Sequence, residues 1–289
     1  MNRYIALLKI VEMGTFSRAA EALGYTQPAM SQMIASLEEE LGIRLLNRGR
    51  TGARLTHEGE QLYPSIERMI YQYFAVQEKI KEIHRLDTGV IRMGTLASIS
   101  AHWLPDLLKT FTAQYPGVEF VIHQGDYLSI QEWIRTGAVD FGFVNPRAVS
   151  GIRTMRLREG AMLAVLPQDH PLAALDTVPL AALAREPFIL LEEGHYYEPL
   201  EAFRAAHVSP NIRYTIHDDY AIMTMVEAGL GVSILAELAL RRTNYRIALR
   251  PTDPPVSRTV AIGYLDRERL PMASWRFIEL LRARADELP

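Results

Sequence analysis

Between Leu62 and Ile83 apolar side chains recur at alternating steps of four and three: Leu62, Ile66, Met69, Tyr73, Val76, Ile80 and Ile83. That period places them on one stripe of a helix running from Glu58 to about Leu86, and such a stripe needs a second surface to cover it. Two coverings are open, a second copy of the same helix in a dimer or the helix's own domain. Tyr73 makes the seam imperfect and points to a looser, antiparallel or splayed contact. In either case the helix divides the chain. The segment before it reads as short helices. After Asp87, Thr88 and Gly89 the character changes to alternating strands and helices.

Met1 to about Thr56 reads as three helices and a loop. The first buries Tyr4, Leu7, Leu8 and Val11. The second starts near Ser17, a good N-cap type, buries Ala19, Ala20 and Leu23, and ends at Gly24. The third starts after Thr26 or Gln27 with Pro28 in its first turn, and Met30, Ile34, Leu37 and Leu41 form its apolar stripe. Opposite that stripe lie Pro28, Gln32 and Ala35, with Ser31 on the flank. A helix that merely faced water would carry Lys and Glu there. Small side chains let a helix backbone approach closely, Gln can pair with adenine N6 and N7, and Ser or Ala can meet base edges or a thymine methyl. The expectation is a helix lying in the major groove of double-stranded DNA, with Glu38, Glu39 and Glu40 held away from phosphates at its far end. Between Gly42 and His57 stand Arg44, Arg48, Arg50 and Arg54 without an acid. Their strand-like flanks around Gly49 and Gly52 predict a hairpin wing whose arginines neutralise phosphates or enter a narrow minor groove. The plainer alternative is a small helical protein-contact module with a basic loop.

From VIRMGTL onward the strand and helix patterns alternate, which argues for parallel α/β sheets in two lobes. The chain is expected to cross between lobes near Leu163–Pro167 and again near Thr259–Asp266. Ligands of open α/β sheets lie beyond the carboxyl ends of the strands. That rule selects Thr95, Leu96, Ala97, Ser98 and Ser100 after the first strand, Asp126 after the second and Asn145 after the third. From the other lobe it selects Glu193, His195 and Tyr196, then Asp218 and Asp219. Backbone N–H groups at Thr95–Ser100, with the next helix N-terminus, could receive an anionic group. The acids point instead to an amine, a hydroxyl-rich ligand or a metal. Simple capping is the alternative for Ser98, Ser100, Asp218 and Asp219. His195, Glu198 and His217 are metal-ligand types, but their spacing matches no compact metal motif, so neither metal nor cofactor is expected.

Composition narrows the classes further. A chain of 289 residues has room for two or three domains. Its formal net charge of −3 carries no global sign of a polyanion partner, so the location of the arginines matters more than the sum. There is no cysteine, which removes disulfides, thiolate metal sites and Cys nucleophiles. No apolar run approaches the roughly 18 residues of a membrane span, and the opening residues lack a small-residue cleavage site. A cytoplasmic location without membrane contact is expected. No phosphate-binding loop, G-x-S-x-G or H-E-x-x-H is present, and Gly229-Leu230-Gly231 is too short for a dinucleotide fingerprint. An enzyme is therefore not expected. A solute-binding protein or an enzyme on a binding-protein-like fold is the rival reading.

The stretches FSRAAEAL, TQPAMSQMIASLEEELG and the RLT after the wing resemble the winged helix-turn-helix of LysR-type transcriptional regulators. QYPGVEF, VLPQDHPL and VEAGLGVSIL match that family's effector-domain landmarks, so the resemblance covers nearly the whole chain. It implies an α+β multidomain protein: a DNA-binding domain at 1–57, a linker helix at 58–88 that pairs two subunits, and a two-lobed α/β effector domain at 89–289 resembling periplasmic binding proteins. Lobe I takes about 89–162 and 266–289, and lobe II about 163–265. It further implies a small-molecule cleft between the lobes, an interrupted palindrome as DNA target, commonly a tetramer built from dimers, and transcription machinery as a further partner. By position, Gln27, Pro28, Ala29, Ser31 and Gln32 face DNA, with Ser36 nearby, and Ser17, Thr26, Ala35, Arg48, Arg50 and Arg54 complete the expected contact set. Two departures stand out. The family often has a larger basic residue near Ser36, and often an arginine where Thr51 stands, a role that Arg50 would take over here.

Overall fold

A computed structural model of the chain describes residues 1–49, 52–83 and 88–288. The chain forms two compact units. The N-terminal unit holds α1 (Asn2–Met13), α2 (Phe16–Leu23), α3 (Gln27–Leu41), β1 (Leu46–Gly49), β2 (Gly52–Leu55) and most of α4 (His57–Ile83). Its core joins Leu7 and Ile10 of α1, Ala19 and Ala20 of α2, Met30, Ile34 and Leu37 of α3, and Ile66 and Ile70 of α4. Tyr4, Val11, Leu23 and Leu41 pack at its edge, half-buried. The cap of α2 is Thr15 rather than Ser17: the Thr15 hydroxyl accepts the Arg18 N–H at 3.3 Å, which leaves Ser17 exposed in the first turn. Thr26 caps α3 in the same way, accepting from the Ala29 N–H at 3.3 Å.

β1 and β2 form the expected antiparallel hairpin, with Asn47 opposite Arg54 and Gly49 opposite Gly52. Two contacts seat it. Glu38 Oε1 accepts the N–H groups of Leu45 at 2.7 Å and Leu46 at 3.0 Å, so one of the three consecutive glutamates anchors the wing. The Ala53 N–H donates to the Gly14 carbonyl at 2.8 Å. That approach needs glycine beside it, because a Cβ on Gly52 would lie 2.4 Å from the same carbonyl oxygen and Gly52 has φ 124°. Thr56 then caps α4, accepting from the Gly59 N–H at 2.9 Å while donating to the Arg44 carbonyl at 2.6 Å.

The seam of α4 divides between the two coverings its period allows. Ile66 is buried and Leu62 half-buried in the unit's own core, joined by Ile70, which the heptad pattern does not include. Met69, Val76 and Ile80 are 39%, 56% and 43% exposed, and Tyr73 is half-buried. The Ile83 side chain lies outside what is described.

In the C-terminal unit, β3 (Thr88–Thr95), α5 (Ala97–His102), α6 (Leu104–Gln114), β4 (Gly117–Gln124), α7 (Tyr127–Thr136) and β5 (Phe141–Val144) come first. The long β6 (Arg153–Pro167) leads to β7 (Val178–Pro179), α8 (Leu180–Leu183), β8 (Pro187–Leu191), α9 (Glu198–Ala205), β9 (Asn211–Ile216) and α10 (Asp219–Glu227). Then come β10 (Ser233–Ala236), β11 (Ile247–Arg250), β12 (Thr252–Asp253), β13 (Val256–Tyr264) and α11 (Met272–Ala283). β3 pairs parallel with β4 and β5, and β8 with β9, as the alternating pattern predicts. The expectation of parallel sheets fails elsewhere. β13 runs antiparallel to β5 and β6, and β10 and β11 run antiparallel to β6, making one mixed seven-stranded sheet. The reason is connectivity: β6 carries the chain into the second lobe and β13 brings it back, so the two must oppose one another. The passage between lobes falls earlier in both strands than the expected Leu163–Pro167 and Thr259–Asp266. Leu157 packs with the first core and Met162 with the second, and on the return Val256 packs with the second and Val260 with the first. Phe111, Phe141, Phe143 and Phe277 centre the first lobe's core; Phe188 and Phe203, and separately Ile189 and Ile222, centre the second's. Among the described residues no helix is long and apolar enough to cross a membrane.

Replacing Glu38 by Ala strands two N–H donors at the base of the wing. The expected cost is about 1–3 kcal/mol, read as a lower urea midpoint for the N-terminal unit; an unchanged midpoint would show that water satisfies both donors.

Candidate DNA-reading face and effector cleft

Gln27, Pro28, Gln32, Ala35 and Ser36 of α3 are exposed, and Ala29 and Ser31 are half-buried. Their face holds no charge through its first two turns. Gln27 Nε2 donates to Ser31 Oγ at 3.3 Å, an exposed contact. Of the remaining expected contacts, Ser17, Thr26 and Arg54 are exposed. Thr26 already spends its hydroxyl as the helix cap. Arg48 lies in β1, its side chain outside what is described, and Arg50 lies outside the described residues altogether. The three glutamates at the far end separate in role: Glu38 anchors the wing, Glu39 is exposed, and Glu40 pairs with Arg3 of α1 at 2.6 Å. Arg3 also donates to Ser36 Oγ at 3.0 Å, a contact that nothing in the sequence pattern suggested.

The second site is a cavity of about 220 Å³ between the lobes. Leu96, Ala97, Ser98, Gln124, Gly125 and Asp126 line it from the first lobe, and Leu191, Glu192, Glu193, His217 and Asp219 from the second. Beside it the Arg258 guanidinium, on β13, is 6% exposed. Its Nη2 donates to Ser98 Oγ at 2.9 Å and its Nη1 lies 3.8 Å from Glu193 Oε1. Glu198, at the start of α9, is buried; its Oε1 accepts from the Tyr127 hydroxyl and from Asn145 Nδ2, each at 2.8 Å. Its Oε2 has no hydrogen-bond partner among the described residues. Tyr127 and Asn145 belong to the first lobe and Glu198 to the second, so this buried carboxylate ties the lobes together.

Burial dominates the electrostatics. Desolvation pushes the Glu193 carboxyl up to about 8, with Arg258 opposing the rise and Glu198, Asp219 and Asp126 adding to it. Asp219 is raised for the same first reason, against the pull of Arg258. The Tyr127 hydroxyl is driven well above its ordinary value by burial and then by Glu193 and Glu198.

The cleft thus gathers part of the expected set. Leu96, Ala97, Ser98, Asp126, Glu193 and Asp219 line the cavity. Thr95 and Ser100 do not; the Ser100 hydroxyl donates to the Thr95 hydroxyl at 3.4 Å. Asn145 is withdrawn to Glu198, and its Oδ1 accepts the Arg147 N–H at 2.9 Å. Asp218 caps α10 by accepting from the Ala221 N–H at 2.8 Å, the alternative its position allowed. His195 is exposed and Tyr196 half-buried, and neither lines the cavity. The expectation of an anionic group at Thr95–Ser100 meets an opposing field, because four carboxyl side chains line the cavity and the buried guanidinium beside it already has partners. Among the described residues no cluster of three or more His, Asp or Glu is placed to hold a metal ion. Sequence reasoning missed Arg258, Tyr127 and Gln124. An arginine inside the apolar strand VSRTVAIGY was the available signal, since a buried charge needs partners.

Residues 1–60 match the family described as bacterial regulatory helix-turn-helix protein, lysR family, and residues 84–286 match LysR substrate binding domain. The HTH-type transcriptional regulator YvbU of Bacillus subtilis (strain 168) is 30% identical over 278 residues, 95% of each chain. The probable HTH-type transcriptional regulator LrrA of Synechococcus elongatus is 31% identical over 287 residues, 98% of this chain and 96% of that one. Among solved structures, CbnR, a LysR family transcriptional regulator, superposes with TM-score 0.73 at 20% identity over 98% of both chains. Full-length OxyR from Pseudomonas aeruginosa gives TM-score 0.66 at 27% identity, over 99% of this chain and 95% of that one. The chain belongs to the LysR family and is a DNA-binding transcriptional regulator with an effector-binding domain.

Proposed function

We propose that this regulator acts as a homodimer joined through α4, with two α3 helices reading the half-sites of an interrupted palindrome and a small polar effector held between the lobes. The observation that carries the DNA half is the uncharged, exposed face of Gln27, Pro28, Gln32, Ala35 and Ser36 on a capped helix beside an arginine-bearing hairpin. Gln32 reads a base edge, while Arg48, Arg50 and Arg54 meet phosphates or the minor groove. The likeness to CbnR complexed with its target DNA, TM-score 0.71 at 20% identity, supports the same use of the fold. Met69, Tyr73, Val76 and Ile80 supply the dimer contact, and two dimers form a tetramer. The functional divisions are 1–57 for DNA, 58–88 for pairing and 89–289 for the effector, in a protein of the cytoplasm that acts on transcription machinery.

The cavity of about 220 Å³ lies below the roughly 300–1,000 Å³ of sites for drug-sized ligands. Its carboxyl lining favours a compact ligand with amine or hydroxyl donors over an anion. Such a ligand acts only by binding one lobe arrangement better than another, and the difference is passed to the DNA through the dimer.

Against a duplex selected from a random pool by the wild-type protein, Gln32→Ala is expected to lose about tenfold or more in affinity, the worth of one good base contact. On a scrambled duplex the loss should stay within about twofold. Arg54→Ala weakens both duplexes alike. Equal losses for Gln32→Ala on the two duplexes would remove the base-reading role.

The cleft also sets a pH dependence. Glu193 binds its proton more tightly in the folded protein, up to about 8 against an ordinary 4.5, so the folded state holds a proton that the unfolded chain has released. The corresponding stability is fully present below the unfolded value and is lost as pH rises through the folded one. Asp219 shifts in the same direction. The thermal midpoint of the C-terminal unit in the full chain should therefore fall between about pH 5 and pH 8, and fall less in Glu193→Gln. Superimposable profiles would show that Glu193 ionises without penalty.

A further inference from the structure

On α3 the row Pro28, Gln32, Ser36 and Glu40 repeats every four residues and forms one ridge of the helix. Its first half is neutral. Its second half is occupied by a side chain from another helix, because Arg3 in the first turn of α1 lays its guanidinium along the ridge. Nη1 donates to Ser36 Oγ at 3.0 Å and to the Ser36 carbonyl at 3.3 Å, and Nη2 meets Glu40 Oε2 at 2.6 Å. Both partners of the ion pair remain in water, their side chains 38% and 50% exposed. A guanidinium carries five N–H donors in a planar fork, so these contacts do not exhaust it.

A cation here answers two difficulties of a helix lying along DNA. Even at the far end expected to be held away from phosphates, Glu40 carries a charge of the backbone's own sign. The neutral row also has nothing beyond its first turns to hold register on phosphates, which position a protein without specifying sequence. Exposed ion pairs are weak. A phosphate is a charge-assisted and often bidentate partner for arginine, so it can draw the guanidinium from Glu40 at little cost.

We propose that Arg3 contacts a DNA phosphate, parked on the ridge by Ser36 and Glu40 in the free protein and passed to the backbone when α3 docks. The inference rests on α3 being the reading helix, and it makes α1 a third DNA-facing element beside α3 and the wing.

The test titrates the full-length protein against the selected duplex and its scrambled counterpart at several salt concentrations. Arg3→Gln is expected to weaken both duplexes by about five- to tenfold per subunit and to reduce the magnitude of the slope of log K against log salt by about 0.9 per subunit. Glu40→Gln, which leaves Arg3 in place, should strengthen both. An Arg3 that only braces α1 on α3 would lower the thermal midpoint and leave the slope unchanged, and that result overturns the proposal. So does a Glu40→Gln variant that binds both duplexes no better than wild type. Gln32→Ala serves as the control for the underlying reading. If it discriminates between the duplexes while Arg3→Gln keeps the wild-type slope, only the Arg3 contact is lost; if neither variant has any effect, the reading helix itself is wrongly assigned.

Discussion

Arg258 is a full charge placed where two lobes meet, and much of the C-terminal unit is arranged to make that tolerable. An unpaired buried guanidinium would be severely destabilising, whereas a paired one restricts which packings are acceptable. Its partners come from both sides: Ser98 from the first lobe, Glu193 from the second, with Glu198, Asp219 and Tyr127 close enough to act on it electrostatically. The residue sits on β13, one of the two strands that join the lobes, so its surroundings are sensitive to how the lobes are set. Three carboxyl groups act on one guanidinium. Burial, opposed by Arg258 and aided by the neighbouring carboxyl groups, raises the Glu193 carboxyl, so proton binding there is coupled to the folding of the cleft where an effector is proposed to enter.

Glu198 adds a second tie of different character. It holds Tyr127 and Asn145 through one oxygen while the other stays buried and unpartnered. A buried carboxylate with one oxygen satisfied and the other not is a weaker tie between the lobes than a fully partnered one. The proposed response to an effector, a shift between lobe arrangements, calls for such a weaker tie.

The N-terminal unit follows another logic, in which identical residue types are separated by position. The consecutive Glu38, Glu39 and Glu40 look interchangeable in the sequence. One anchors the wing by accepting two backbone N–H groups, one faces water, and one restrains an arginine. The apolar seam of α4 divides in a similar way: its first positions complete the local core, and Met69, Val76 and Ile80 remain uncovered. A heptad period marks a stripe that needs covering, but it carries no information on which surface does so at each turn.

Local, periodic features were legible in the sequence alone. The three short helices, the hairpin between Gly49 and Gly52, the long helix and the parallel βα units follow from spacing and turn chemistry, which act over a few residues. The neutral face of α3 was equally visible, because a helix wheel needs only the order of residues. Tertiary structure decided the rest. The antiparallel pairing of β6 with β13 depends on where the chain re-enters the first lobe. The cap of α2 at Thr15 rather than Ser17 is by contrast a local matter, since its hydroxyl meets the Arg18 N–H three residues on. Arg258 reached Ser98, and Arg3 reached Ser36, across separations that no local pattern records. Side-chain chemistry therefore announced which residues would need partners, and only the folded chain could choose them, since a charge or an apolar stripe states a requirement and packing supplies the answer.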